Sequence, residues 1–210
     1  MNSRVVSRAL CLELRTYSLK PEAFPKYLAL TNEKFHLRTA HSKLNGFWLH
    51  ELGGLNSVTH LWEYDSLEHR AQVRDALGVD KDWISEYVVN LLPMLAEQVN
   101  SVVVEPEWAH SLKSNSKKGP FMMERIQFAS EARENEEVVK ALVKEKLDAF
   151  DLTNLLFTDV GPNNEVTLIW RANELSDFCG WTREASEKQG IVKRETIVMK
   201  GAPWCPTTNN

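Results

Sequence analysis

Five side chains that could do chemistry recur at alternate positions along two predicted strands. Alternation places Glu13, Arg15 and Tyr17 on one face of the first strand. It likewise places His60 and Trp62 on one face of a later strand. A histidine titrates near neutral pH and can act as an acid, a base or a ligand. The pattern therefore predicts a candidate pocket for a small molecule, formed by these five residues.

The same residues also fit a purely structural role. Glu13 and Arg15 would then form a buried ion pair, and His60 would be a hydrogen-bonded core histidine. This is the commoner situation, because buried polar groups are usually satisfied by internal partners. Since apolar strand faces pack on helices, we expect Glu13, Arg15 and Tyr17 to point towards the second half of the chain. His60, Trp62 and Tyr64 would join them if their face of strand 57–64 lines the barrel, and the sequence leaves that face open.

No other arrangement of residues predicts catalysis or metal binding. His36 and His41 lie near a predicted helix end, where a cation interacts favourably with the helix dipole. The motifs GxSxG, GxxxxGK[ST], GxGxxG and HExxH are absent. Cys11, Cys179 and Cys205 lack CxxC spacing, which argues against a cysteine zinc site and suits a reducing compartment. The sequence therefore predicts no catalytic residue, no metal ligand and no cofactor.

Composition and charge describe an ordinary globular chain that could be one large domain or two small ones. A net charge of −4 and a pI of about 5.9 argue against nucleic acid as a partner. No apolar run approaches the ~20 residues that cross a bilayer, so no transmembrane segment is expected. Residues 1–10 carry Arg4 and Arg8 but no acid, which fits either a short mitochondrial targeting tail or a frayed basic terminus.

An internal repeat divides the chain into two halves. The segment 53–62, GGLNSVTHLW, returns at 161–170 as GPNNEVTLIW, and each copy reads as a turn followed by a strand. The copies differ at the candidate pocket, because Leu168 replaces His60. A site that needs the histidine would therefore exist once per chain. The first strand differs too, with Ile126 at the position of Arg15.

Periodicity and turn residues predict the elements of each half. In the first half, the predicted strands are 10–17, 43–52, 57–64 and 100–105, and the predicted helices are 21–39, 67–77 and 81–95. In the second half, the predicted strands are 121–128, 154–160, 165–171 and 194–200, and the predicted helices are 133–149 and 175–188. Gly46 suggests a bulge, and Gly78 is expected to end its helix.

Each half thus reads β-α-β-β-α-β, the order of the ferredoxin-like unit. Such a unit carries its helices on one face of a four-stranded sheet, and the other face needs cover. We therefore predict an α+β fold in which two tandem units form a pseudo-dimeric α+β barrel, although the halves could instead pair between chains. The predicted divisions are a tail at 1–10, a first unit at 11–108, a linker at 109–120 and a second, diverged unit at 121–206.

The chain resembles the NIPSNAP family. The matching stretches are 37–48, 53–56, 60–65 and 69–74, and the second half matches mainly around Trp170 and at 203–205. This resemblance implies a dimeric α+β-barrel fold, association with mitochondria and, for some members, roles in vesicle trafficking or in flagging damaged mitochondria to autophagy adaptors. It supplies no catalytic residues, because none is established for the family.

Three functions are consistent with these observations. The first is a mitochondrial interaction protein without catalysis, with autophagy or trafficking adaptors as partners; a cytoplasmic location is the alternative. The second is a small-molecule-binding barrel of monooxygenase or haem type that uses the candidate pocket, an analogy of fold only. The third is a structural subunit that builds homo-oligomers through exposed sheet edges or faces.

Overall fold

The strands of this chain close into an eight-stranded antiparallel barrel, as described for residues 11–179 and 190–206 by a computed structural model. The strand order around the barrel is β1-β3-β2-β8-β5-β7-β6-β4. The strands are Cys11–Leu19 (β1), Lys43–Leu52 (β2), Ser57–Tyr64 (β3), Leu95–Val104 (β4), Phe121–Phe128 (β5), Asp151–Val160 (β6), Glu165–Arg171 (β7) and Ile191–Gly201 (β8). The mixed helix and strand composition confirms the α+β class and the barrel.

The helices lie between the strands in sequence. The α-helices are Phe24–Thr39 (α1), Leu67–Val79 (α2), Val89–Leu91 (α3), Glu107–His110 (α4) and Glu136–Lys146 (α5). A π-helical segment, Trp83–Val88, precedes α3. Short 3-10 turns occupy Pro21–Ala23, Leu92–Met94, Ala132–Asn135 and Leu175–Phe178.

Local signals explain where several elements begin. Pro25 lies in the first turn of α1, where its missing N–H costs nothing. The Ser66 side chain accepts a hydrogen bond from the His69 backbone N–H and caps α2. Asp80 accepts from the Trp83 backbone N–H and so supports the turn that follows.

Several predicted boundaries were wrong. Helix α2 continues through Gly78 to Val79, because Gly78 does not adopt the left-handed conformation of a C-terminal cap. The predicted helix 81–95 is helical throughout 81–94, but its central turn, Trp83–Val88, is π-helical and its last turn, which contains Pro93, is 3-10. Strands β4, β6 and β8 begin earlier than predicted. The predicted helix 133–149 is shorter, and most of the predicted helix 175–188 lies outside the described residues.

Two seams join the halves into one barrel. Strand β2 pairs with β8 from Trp48–Gly201 to Leu52–Val198, and β4 pairs with β6 over Val102–Val104. The segment predicted as a linker packs against β6: Lys113 bridges to Leu152, and Asp151 accepts hydrogen bonds from Ser116 and from the Lys117 backbone. The closed sheet therefore has an interior shared by both halves and an outer surface partly covered by helices.

The barrel interior is apolar with a small polar cluster. Trp48 of β2 contacts Phe121 of β5, with ring centroids 6.1 Å apart, across the boundary between halves. The Arg125 guanidinium donates to Thr16 Oγ1 at 2.9 Å, and Thr16 lies 3.0 Å from Thr59 Oγ1. His50 Nε2 is 2.8 Å from the same Thr59 oxygen. Thr16 and Thr59 alternate with the candidate-pocket residues along β1 and β3. The candidate-pocket residues therefore lie on the outer face of the barrel.

Candidate functional site

The five candidate-pocket residues share one face, but that face lies under the helices. Arg15, Tyr17, His60 and Trp62 line a cavity of about 30 Å³ together with residues of α1, α2 and the π-helical segment, including Phe35, Arg38, Arg74 and Trp83. The expectation that Glu13, Arg15 and Tyr17 point towards the second half is therefore wrong, and the open face of strand 57–64 that carries His60 and Trp62 also meets the helices. Both faces of β1 and β3 are buried, so alternation of polarity alone could not tell which face meets the helices.

Glu13 is fully buried and holds four groups around its carboxylate. Arg70 donates to Oε1 at 2.6 Å and Asn100 donates to Oε1 at 2.9 Å, while Tyr64 donates to Oε2 at 3.2 Å. An Arg15 nitrogen lies 3.6 Å from Oε1. Burial alone would raise the pKa of Glu13, but the hydrogen bond from Arg70 and the charge of Arg15 outweigh it and lower the pKa to about 2. Glu13 is therefore a permanent carboxylate at neutral pH.

His60 is buried between aromatic rings. Its imidazole stacks on Phe47 at 5.1 Å and meets Tyr17 edge-on at 4.7 Å. Trp62 Nε1 donates to His60 Nδ1 at 2.5 Å, so the proton of the neutral ring lies on Nε2. Burial, followed by the charges of Arg15 and Arg38, lowers the pKa of His60 well below its usual value. His60 is therefore neutral near pH 7.

Arg38 and Tyr64 connect this face to the helices. Arg38 of α1 donates to Tyr64 Oη at 2.8 Å and to Ser42 Oγ, and its guanidinium lies 4.1 Å from the Trp62 ring centroid. The Tyr64 hydroxyl in turn donates to Glu13 Oε2, so Tyr64 links Arg38 to the buried carboxylate. Sequence reasoning missed Arg38, Arg70 and Arg74 as site residues, because nothing local relates them to β1.

The second half contains a matched buried carboxylate. Glu124 of β5 is fully buried and binds Lys146 at 2.6 Å, Trp170 Nε1 at 2.8 Å and the guanidinium of Arg194. Burial would raise the pKa of Glu124, but the charges of Lys146 and Arg194 lower it. The two carboxylates are not at equivalent register positions, because Glu13 lies opposite Trp62 whereas Glu124 lies opposite Leu168, the counterpart of His60. Each is nevertheless bound by a cationic side chain from a helix of its own half, Arg70 or Lys146, so each links a helix to its sheet.

A larger cavity, about 310 Å³, adjoins the small one. Arg15, Tyr17, Arg74 and Trp83 line both cavities. The larger one extends between α2, the π-helical segment and β4, where Gln98 lies. This arrangement can hold a small molecule but offers no base that titrates near neutral pH.

A third cavity, about 1160 Å³, is a separate groove beside β8. It contains none of the predicted pocket residues, and its charged lining carries both signs, including Glu51, Glu174, Lys118 and Lys200. Within residues 11–179 and 190–206, no three or more His, Cys, Asp or Glu side chains are grouped to hold a metal ion. None of the helices in that part of the chain has the length and apolar character to cross a membrane.

Comparisons with solved structures agree with the fold. A putative monooxygenase from Fusobacterium nucleatum matches with a TM-score of 0.63 and 10% identity, covering 94% of both chains. A chlorite dismutase mutant from Candidatus Nitrospira defluvii matches with a TM-score of 0.57 and 10% identity, again over 94% of both chains. At this level of identity the likeness concerns the fold alone, and it supports the α+β barrel.

Comparisons of sequence place the chain in a family. The family model described as NIPSNAP matches residues 12–110. Human protein NipSnap homolog 3A is 32% identical over 184 residues, which cover 86% of this chain and 74% of the relative. Mouse protein NipSnap homolog 3B is 32% identical over 171 residues, covering 79% and 68%. This chain therefore belongs to the NIPSNAP family.

Proposed function

We propose that this chain is a non-catalytic interaction protein associated with mitochondria. The proposal rests on the candidate site. Its carboxylate, Glu13, and its imidazole, His60, are both buried, and both accept hydrogen bonds from neighbouring side chains. Neither group changes charge near neutral pH. Proton transfer needs an accessible group that titrates close to the working pH, so the cluster suits a structural role.

Membership of the NIPSNAP family supports the proposed partners and location. We propose autophagy or vesicle-trafficking adaptors as partners, mitochondria as the location with the cytoplasm as the alternative, and homo-oligomers as a further possible assembly. The acidic net charge of −4 favours protein partners over nucleic acid. No single surface of the barrel is assigned to these partners.

The test combines localisation with capture. The full chain, tagged at its C-terminus, is imaged in cells and used to capture proteins from mitochondrial extract. We expect mitochondrial signal and a reproducible set of adaptor proteins. The matched variant His60→Leu, which copies Leu168 of the second half, should recover the same set, because the proposed role does not use the imidazole. A chain that captures nothing reproducible from the extract contradicts the proposal.

A second candidate function is binding of a small molecule, favoured by the 310 Å³ cavity beside Arg15 and Tyr17. Ligand sites begin at about 300 Å³, so the volume is sufficient for a small ligand. The lining of this cavity contains none of the haem ligands histidine, cysteine and methionine, and its tyrosine, Tyr17, packs its ring against His60 and the Arg15 guanidinium. Among the monooxygenase, haem and simple-binding alternatives, we therefore retain simple binding. Titration with haem that gives no saturable Soret change, while a small organic ligand binds, is the expected outcome.

We also propose that the barrel consists of two tandem ferredoxin-like units, 11–108 and 121–206, joined by 109–120. The neighbour order β4-β1-β3-β2 in the first half and β8-β5-β7-β6 in the second supports this division. Both orders put the first strand of a unit between its third and fourth strands. The tail at 1–10 lies outside the described residues.

A further inference from the structure

The 310 Å³ cavity, named here the α2 cavity, has two chemically different ends. Arg15, Arg74 and Gln98 form a polar end next to the ring of Tyr17. The other end is apolar and is formed by Leu77 of α2, the Trp83 ring and side chains from the turns that follow it. Arg74 is exposed, so the polar end reaches solvent and a molecule can enter there.

The positive charge of the polar end is only partly neutralised, because Arg15 lies 3.6 Å from the shared Glu13 carboxylate and donates to Gln98 Oε1 at 3.4 Å. None of the residues that line the α2 cavity is Asp or Glu. Among the described residues, no hydrogen bond or ion pair engages Arg74. Arg15 Nε is buried without a hydrogen-bond partner, and the Glu13 carboxylate near Arg15 is shared with Arg70. A carboxylate in the cavity would therefore pair with Arg74 and share the guanidinium of Arg15 with Glu13.

The apolar end is built by an unusual backbone segment. Trp83–Val88 is π-helical, a conformation that is rare and frequent at functional sites. It places Trp83, Ile84 and Val88 along the cavity. Trp83 stacks on Tyr87 with ring centroids 4.6 Å apart, and the Tyr87 hydroxyl lies 3.1 Å from Thr31 Oγ1 of α1. The aromatic wall is therefore held in position by contacts that do not need a ligand.

We propose that the α2 cavity binds a small organic anion with an apolar body. A carboxylate would be held by Arg15 and Arg74, and its hydrocarbon part would lie against Trp83 and Leu77. Arginine suits this role because its planar fork matches a carboxylate. The proposal goes beyond the interaction role and rests on the small-molecule alternative, whose ligand class it specifies.

The test compares an anion with a neutral molecule of the same shape. Octanoate and octanamide are titrated into the full chain by calorimetry at neutral pH. We expect octanoate to bind saturably at one site, and octanamide to bind at least tenfold more weakly. Arg74→Gln should weaken octanoate binding at least tenfold and leave octanamide unchanged. The matched control Arg133→Gln, which removes an arginine paired with Asp159 on the second half, should leave both unchanged.

A second variant tests the location without disturbing the fold. A side chain at Gly78 would start in open space, and Gly78 lines the cavity within α2. Gly78→Leu should therefore narrow the cavity where Gly78 lines it and weaken octanoate binding at least tenfold, while the unfolding midpoint stays the same or rises. Equal affinity for octanamide would overturn the anion class but leave the binding cavity intact. Absence of saturable binding by either probe, or octanoate binding that Gly78→Leu leaves unchanged, would overturn the assignment of the cavity.

Discussion

At the scale of single residues, the main feature is a pair of buried carboxylates that are held in the charged state. Glu13 is surrounded by Arg70, Arg15 and two neutral donors, and Glu124 by Lys146 and Arg194. Burying a charged carboxylate costs solvation free energy, so each carboxylate needs several donors and cations around it to remain ionised. Removing one charged partner should lower the stability of the fold strongly, because the remaining charges stay buried without it.

Replacing Glu13 with Gln should therefore lower the free energy of unfolding by about 3 kcal/mol at neutral pH, since one pKa unit corresponds to about 1.4 kcal/mol. The folded pKa of about 2 lies below the ordinary 4.5, so the stabilisation by Glu13 is complete above pH 4.5 and disappears as the pH falls towards 2. Urea unfolding of both proteins across this range should show the two curves converging on the acid side.

The matched control is Glu63→Gln. Glu63 pairs with Lys43 at 2.8 Å, and the Lys43 side chain is 71% exposed, so this substitution should cost less than about 1 kcal/mol. If Glu13→Gln cost no more than the control, or the same amount at every pH, the buried charge network would not stabilise the fold in the manner argued.

For His60 we expect an imidazole that stays neutral between about pH 8 and pH 5, the range in which an ordinary histidine titrates. Burial and the charges of Arg15 and Arg38 oppose its protonation. Long-range ¹⁵N–¹H NMR of the imidazole should show a bare Nδ1, a protonated Nε2 and no shift over this range. The His60 signals are assigned by their loss in His60→Leu. A titration midpoint near 6.5 would contradict the buried, neutral assignment.

At the scale of elements, strand β2 packs the Trp48 ring against its own backbone at Gly46. The register of β2 against β3 shifts between Leu44 and Gly46, which confirms the predicted bulge. A Cβ at Gly46 would lie 2.0 Å from the ring of Trp48, which is itself fully buried in the barrel. Glycine is thus required here for space, while the positive φ of 86° at Gly53 reflects a turn.

Gly46→Ala should therefore destabilise the protein by about 1–3 kcal/mol, because the Trp48 ring must move within a filled core. Gly78→Ala is the matched substitution, and it should be neutral or stabilise by up to about 1 kcal/mol, since it lies in a helix with open space around it. Thermal unfolding of the two variants provides the comparison. Equal midpoints for both would mean that Trp48 can relocate without cost.

At the scale of the whole molecule, the two halves share one interior. The β2–β8 and β4–β6 seams close the sheet, and Trp48, Phe121 and Arg125 reach across the boundary. Each half supplies one wall of this interior, whereas each helix layer packs on its own half. Neither half can therefore cover its inner sheet face without the other or a second copy of itself.

A fragment of residues 1–108 should consequently self-associate. Without the second half it would expose Leu14, Trp48 and Leu61, all buried in the full chain. Analytical ultracentrifugation should show dimers or larger species, and co-expression with 109–210 should restore a complex of the full-chain mass. A monomeric fragment with the unfolding midpoint of the full chain would contradict the shared interior.

Local patterns in the sequence determined most elements and the family. The alternation of apolar and polar residues predicted β2, β3, β5 and β7 with their observed bounds, because turn residues mark where these strands end. Strands β4, β6 and β8 are longer than predicted. Their added residues pair mainly with a strand of the same half: 95–99 with β1, 151–152 with β7 and 191–193 with β5. Such pairing with a strand distant in sequence has no local signature. The repeat and the matching stretches were sufficient to predict the α+β barrel and the NIPSNAP family.

The tertiary structure alone decided how the site is built. Strand alternation grouped Glu13, Arg15 and Tyr17 correctly, but both strand faces are buried, so polarity could not tell interior from helix side. Arg70 of α2, which binds Glu13, and Arg38 of α1, which reaches it through Tyr64, come from segments far from β1 in sequence, and so do the residues that line the α2 cavity. Periodicity reports only which residues of one element share a face; which elements meet is a property of the packed chain.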